Sequence, residues 1–241
     1  MPELERAPKK LEGYFEQSKD PLNALVLCLP ILLIYELGLL ISDGVTLNGV
    51  DVVTVFLARR WGLNGLLAFN AGLFLTCLIA IGLLKREQRL NPKIVLPIIA
   101  ESTVYALLMG TLIVLFMNQV LGLSATGAAK FSLSERVFLS LGAGFHEELI
   151  FRLFFYGGLG WSLARLAPSL EKPAYAFAFI ASAVLFSLAH YAGAEAFAVR
   201  SFVFRFLAGC LLCALYITRG FAVAVYTHTI YDIYVMVLRN G

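Results

Sequence analysis

The sequence predicts an all-α, polytopic membrane protein, a bundle of about seven transmembrane helices (six to eight). Three observations predict it. Sixty per cent of the 241 residues are hydrophobic and only 15% are charged, with a mean hydropathy of +0.82; soluble domains run at about 45–50% apolar and about 25% charged. Apolar runs of span length, roughly 20 residues, follow one another with short connections. Finally, the ionisable residues inside those runs recur at helical rather than strand spacing. The net charge of +3 is too modest to suggest a nucleic-acid partner.

The elements follow in order. Residues 1–20 are polar and charged and read as a cytosolic tail, with an amphipathic turn near 11–15, rather than as a signal peptide, whose apolar stretch would be shorter than the run that follows. Candidate spans cover 21–41, 62–84, 94–117, a charged-core stretch within 138–166, then 173–190, 196–217 and 221–238. The segment 49–62, with Arg59-Arg60-Trp61 near its end, suits an interfacial helix better than a span. The stretch 132–166 is long for one span. It is either one helix entering near Ser134 and running past the bilayer, or two pieces hinged at Gly142–Gly144. Three regions result: 1–20 as tail, 21–130 as N-terminal transmembrane helices, and 131–241 as the core that carries the polar motifs.

Lys and Arg near span ends set orientation. Arg6, Lys9, Lys10, Lys85, Arg86, Arg89, Lys93, Arg165, Lys172 and Arg219 fall on one side of a seven-span scheme. Arg59, Arg60, Lys130, Arg136 and Arg239 fall on the other. The bias puts the N-terminus in the cytosol. Cys28, Cys77, Cys210 and Cys213 all lie in apolar runs and read as small packing residues; the Cys210/Cys213 spacing has no second pair to make a zinc or redox site.

An ionisable group at the bilayer centre costs about 2.5–3.5 kcal/mol and therefore marks a pair or a wet cavity. Glu36, Glu101, Glu147, Glu148, Arg152, His190, Arg200, Arg205, His228 and Asp232 form that shortlist. The three histidines, His146, His190 and His228, all fall in the second half. Glu148 and Arg152 are four apart with the Glu first, the favourable order for a helical ion pair, whereas Glu147 is turned about 100° away. Phe186 with His190, and His228 with Asp232, repeat the four-residue spacing on two further helices. Three polar faces meeting in one partly dry pocket suit a carboxylate that activates water beside imidazoles that orient it or donate to an oxyanion. The chemistry suggested is acyl-bond hydrolysis. The competing reading is a polar cluster that only holds helices together.

Glu147-Glu148-Leu149-Ile150-Phe151-Arg152, Phe186-Ser187-Leu188-Ala189-His190 and His228-Thr229-Ile230-Tyr231-Asp232 resemble the EExxxR, FxxxH and Hxxx(N/D) motifs of the CAAX-protease and bacteriocin-processing family of intramembrane proteases. Order, spacing and placement on three spans all agree, from about residue 138 onward. The resemblance implies an integral, multi-pass protein, typically of a bacterial cytoplasmic membrane, with its catalytic pocket inside the bundle. Such a protein cleaves a peptide bond in a membrane-associated protein or peptide. It also implies roles: Glu147 and His190 activate water, His228 and Asp232 support the oxyanion, and Glu148 and Arg152 hold the helix or the pocket charge. Where some members have Asn, this chain has Asp232; a carboxylate cannot donate to an oxyanion, so its role here is to accept from His228 and keep that ring a donor. Zinc on Glu147, His190 and His228 would make a known His₂Glu set, but a metal-independent water is favoured and no cofactor is expected. The lipid bilayer is the only other partner implied; no motif specifies an oligomeric state.

Other protease classes match less well. A zinc HExxH would need His where Ile150 stands, no GxGD is present, and the Gly-x-Ser triplets ending at Ser124 and Ser162 lie in no grouping with a histidine. The alternative from a different class is a non-enzymatic membrane protein, a self-immunity or assembly factor, that uses the cluster for packing.

Overall fold

The computed structural model describes residues 13–41, 52–84, 90–119, 133–192 and 196–239. Arg6, Lys9, Lys10, Lys85, Arg86, Arg89, Lys130, Leu11 and Ser124 lie outside them, so the parts of the orientation and tail expectations that rest on these residues do too. Within the described residues the chain is helical, without strands: α1 (Tyr14–Lys19), α2 (Pro21–Ile41), α3 (Val52–Leu84), α4 (Val95–Gln119), α5 (Leu133–Glu148), α6 (Leu159–Leu166), α7 (Glu171–Ala189), α8 (Val199–Arg219) and α9 (Phe221–Ile233). In a bilayer only closed hydrogen-bonding patterns survive, and helices satisfy that rule segment by segment.

Among the described residues, five helices are long and apolar enough to cross a membrane: Pro21–Gly38, Asn64–Leu84, Pro92–Gln119, Pro168–Ala192 and Val199–Arg219. Phe221–Val237 is a shorter apolar helix, so the described residues give five span-length helices where about seven were expected. α5 with its continuation is not among them; it carries Glu147, Glu148 and Arg152 of the polar centre. The interfacial helix expected before residue 62 is set apart as anticipated: α3 breaks at Gly62, whose φ of 67° lies in the left-handed region that glycine enters without steric cost. Trp61 at that corner is exposed.

The long stretch 132–166 resolves in favour of one continuous path rather than a hinge at Gly142–Gly144. Both glycines lie inside unbroken α5. Their smallness serves approach: a Cβ at Gly142 would run into the Tyr35 ring, and one at Gly144 would come within 2.9 Å of the Thr229 backbone nitrogen. Small residues let membrane helices approach closely, where dispersion must replace the missing hydrophobic force. The irregularity falls later, as a wide π-helical turn over Leu149–Gly158 that leads directly into α6. Ser182 on α7 donates to the Phe151 carbonyl at 2.6 Å within that turn. Such wide turns are rare and occur frequently at functional sites.

At the centre runs α9. Ala222, Val223, Ala224, Val225, Thr227, His228, Thr229 and Tyr231 are all buried along it, as expected of a helix apolar on every side. It packs against α4, α5, α8 and α2. The turn into it is abrupt: Gly220, with φ 97°, takes the Leu215 and Tyr216 carbonyls on its N–H at 3.2 and 3.0 Å, a left-handed helix stop, and α9 begins at the next residue. α2 starts from Asp20, whose Oδ1 accepts the Asn23 N–H at 2.9 Å, an ordinary N-cap.

Candidate active site

Three elements converge on one buried centre. The end of α5 brings Glu147 and Glu148, the last turn of α7 brings Phe186 and His190, and α9 brings His228 and Asp232. All seven residues singled out by the motifs, Arg152 of the following π-helical turn included, meet here.

Glu148 and Arg152 form the ion pair that their spacing anticipates, Oε2 to Nε at 3.0 Å with both side chains fully buried. Arg152 is held on two more sides. Its Nη2 donates to the Gly209 carbonyl at 3.4 Å, and its guanidinium lies over the Phe186 ring at 4.5 Å, a desolvated cation–π contact. The second oxygen of Glu148 has a further partner that spacing alone does not reveal. His228 Nδ1 lies 2.7 Å from Oε1. Because a carboxylate only accepts, that nitrogen carries the proton. Glu148 therefore bridges Arg152 and His228, and the motif-three histidine is oriented by the motif-one helix.

Glu147 faces the other way and meets both histidines. Its Oε2 stands 3.9 Å from His190 Nε2 and 3.8 Å from His228 Nε2. Both gaps are too long for a direct hydrogen bond. His190 Nδ1 lies 2.9 Å from the Phe186 carbonyl; the carbonyl can only accept, so Nδ1 carries a proton and Nε2 is the ring nitrogen turned toward Glu147. Asp232 Oδ2 is 3.5 Å from His228 Nε2, a longer approach than that of Glu148 to Nδ1.

Phe186 is more than a spacer in its motif. Its ring is buried under Arg152 and meets both imidazoles, at centroid distances of 5.1 Å for His190 and 5.8 Å for His228. It thus fixes the three polar groups against one another. The signal for it in the sequence is the Phe-x-x-x-His spacing alone, which gives a shared helix face but not what the ring touches. His146, the third histidine, lies apart from the centre: Nδ1 meets the Gly142 carbonyl at 3.0 Å, and the ring packs on Tyr35.

Among the described residues no group of three or more His, Cys, Asp or Glu is arranged to hold a metal ion. Glu147, His190 and His228 meet around a gap but do not form such a set.

The centre thus brings together a buried acid, two imidazoles and a second acid paired with an arginine, inside a helical bundle. Residues 129–234 match the family described as type II CAAX prenyl endopeptidase, Rce1-like. That part of the chain is thus similar to a family of membrane proteases. No curated protein and no solved structure matches the chain.

Proposed function

We propose that the protein is an intramembrane endopeptidase that hydrolyses a peptide bond of a membrane-associated protein or peptide, with Glu147 as the base. The observation that carries this reading is the gap between Glu147 Oε2 and the two histidine Nε2 atoms, 3.9 and 3.8 Å wide, in a pocket walled by apolar helices. A water held there hydrogen-bonds to Glu147 and to the His190 lone pair. Glu147 takes its proton as oxygen attacks the scissile carbonyl, and the negative charge moves to the carbonyl oxygen. His228, carrying protons on both nitrogens, donates through Nδ1 to Glu148 and through Nε2 to that oxyanion, where a preorganised donor is worth most. Collapse of the intermediate breaks the C–N bond, and Glu147 returns the proton to the leaving amine. Asp232 stands beside His228 Nε2 as an acceptor that keeps the ring oriented between turnovers.

The test compares the N- and C-termini of membrane proteins in cells carrying the wild-type chain or Glu147→Gln at equal level. Gln keeps size and hydrogen bonding and removes the base. New termini lost with the variant support the protease. An unchanged terminal profile with an unchanged phenotype would instead support the packing-only alternative.

A further inference from the structure

We propose that Ser182 of α7 is a positioning residue: its hydroxyl fixes where the wide turn after α5 sits and, through Arg152 and Glu148, sets His228 against the base. This rests on the protease reading above and names a further residue on which that site depends.

Leu149–Tyr156 is apolar apart from Arg152 and holds no helix-breaking residue, so nothing within it places a wide turn there rather than one position earlier or later. Each step along an α-helix turns a side chain by about 100°. A turn displaced by one residue would carry Arg152 away from Glu148 and from α8. The position therefore has to be chosen from outside the turn. Ser182, 1% exposed, donates to the Phe151 carbonyl at 2.6 Å, in the peptide group that joins Phe151 to Arg152. That is not the habit of a hydroxyl in these helices. Thr76, Thr103, Thr111, Ser162 and Thr218 each donate to the carbonyl four residues earlier in their own segment, the usual local bond. Ser182 crosses to another element instead.

Ser182 also extends the second motif by one helical turn. Ser182, Phe186 and His190 follow at intervals of four, so one face of α7 carries three contacts over about 12 Å. The hydroxyl holds the Phe151 carbonyl, the Phe186 ring lies under Arg152 at 4.5 Å, and the His190 imidazole stands 3.9 Å from Glu147. The Phe151 ring meets Phe186 edge-on at 5.4 Å. Ala183, the next residue, lies against Gly209, where a Cβ would come within 3.2 Å of the Ala183 Cα. That close approach of α7 and α8 brings the Gly209 carbonyl within 3.4 Å of Arg152 Nη2. From Arg152 the contacts run to Glu148 at 3.0 Å and from Glu148 to His228 Nδ1 at 2.7 Å. Loss of the Ser182 hydroxyl releases the turn, and the displacement reaches His228 along this line.

The test uses the purified full-length protein in detergent, an internally quenched S-prenyl-cysteine peptide as the probe, and ¹⁵N labelling of the three histidines. Ser102→Ala is the control. Ser102 is equally buried and donates across helices to the Val223 carbonyl at 3.3 Å, away from the wide turn. Ser182→Ala should lower kcat by about tenfold or more, as a catalytic group misplaced by a fraction of an ångström does, with KM within about twofold of wild type. It should also shift the His228 imidazole signal while His146, held on the Gly142 carbonyl, stays in place. Ser102→Ala should do neither. Ser182→Cys keeps the size and a weak donor; it should fall between, and it decides the question where Ser182→Ala does not accumulate. A His228 signal unmoved in the Ser182 variants overturns the proposal, as does a kcat loss no greater than that of Ser102→Ala. So does a shift of all three imidazoles together, which would make Ser182 a packing residue of the whole bundle. A wild type that leaves the probe uncut, or a Glu147→Gln variant that cuts it as fast, would instead sink the protease reading; the histidine spectra would still show whether Ser182 sets His228.

Discussion

Glu147 and Glu148 are neighbours in sequence but differ in what their removal exposes. Glu147→Gln should lower turnover by about 10²–10⁴-fold, the range of positioned general-base catalysis, and leave an extractable, folded protein. Glu148→Ala strands Arg152, which is fully buried, and releases His228 Nδ1 at once. Breaking a buried pair costs about 3–5 kcal/mol, so this variant should fall in membrane abundance as well as activity. Equal abundance of the two variants would argue against Glu148 as the bridge. A second expectation at this scale concerns metal: activity should survive dialysis of the purified protein against a strong chelator. Loss on chelation with recovery on adding zinc would reassign Glu147, His190 and His228 as ligands. Much of this centre is legible in the sequence because i to i+4 spacing fixes a shared helix face: the Glu148–Arg152 pair follows from it directly. The Glu148–His228 contact spans eighty positions and depends on how α5 and α9 pack, which no local spacing encodes. The same holds for the contacts of the Phe186 ring with Arg152 and His228, whereas its contact with His190 is local.

Among the elements, α5 and α9 set the distance between base and oxyanion donor, and Gly144 sets how near they come. A Cβ there would meet the Thr229 Cβ and backbone nitrogen at 2.9 Å. Backbone cannot yield as a flexible side chain does, so α9 itself must move, and His228 is the residue before Thr229. Displacement by about 1 Å in a catalytic constellation can cost roughly 10²-fold. Gly144→Ala should therefore lose activity far out of proportion to any loss of protein, while overpacking itself destabilises by about 1–3 kcal/mol. Gly72→Ala, where a Cβ meets nothing within 4 Å, is the control and should match wild type in both assays. Measured kcat/KM and detergent-extracted yield decide it; parallel loss of both in Gly144→Ala would reduce this glycine to a stability residue. The apolar runs show where these helices lie, and α2 falls on 21–41 as its composition predicts. The position of the irregularity does not follow in the same way. Two glycines suggested a break at 142–144, yet both serve close approach, and the π turn begins at Leu149, where the chain carries Leu-Ile-Phe rather than any helix-breaking residue. What shapes that turn is tertiary: Ser182 on its Phe151 carbonyl and Arg152 drawn toward Gly209.

At the scale of the whole molecule, a polar clamp joins the N-terminal helices to the segment that carries His228. Arg219, the last residue of α8, pairs bidentately with Glu101 of α4, Nε to Oε1 at 2.5 Å and Nη2 to Oε2 at 2.8 Å. Tyr14 of α1 and Tyr105 donate to the same carboxylate, and the Arg219 guanidinium lies 4.1 Å over the Phe15 ring. Ser18 donates to the Arg219 carbonyl at 3.2 Å. At the adjoining Gly220 a Cβ would come within 2.7 Å of the Ser18 carbonyl oxygen. Glu101 appears in the sequence as one more buried charge and Arg219 as an orientation marker; only the fold pairs them. Charged hydrogen bonds of this kind contribute about 1.5–3 kcal/mol, so Arg219→Ala and Glu101→Ala should each lower the thermal midpoint in detergent. The double variant should lose less than the sum of the singles, since each alone leaves the other charge without its partner. Strict additivity would mean that the two do not act as a unit. Burial, and then the hydrogen bond to Glu101, push the Tyr14 phenol above its ordinary value of 10.0. A group whose neutral form the fold favours contributes stability that is whole below the unfolded pKa and fades as pH rises past it. The clamp should therefore weaken above about pH 10, and Tyr14→Phe, which has no phenol to ionise, should flatten the alkaline limb of the stability profile. An alkaline limb that is identical in wild type and Tyr14→Phe would show that α1 is not held through this hydroxyl.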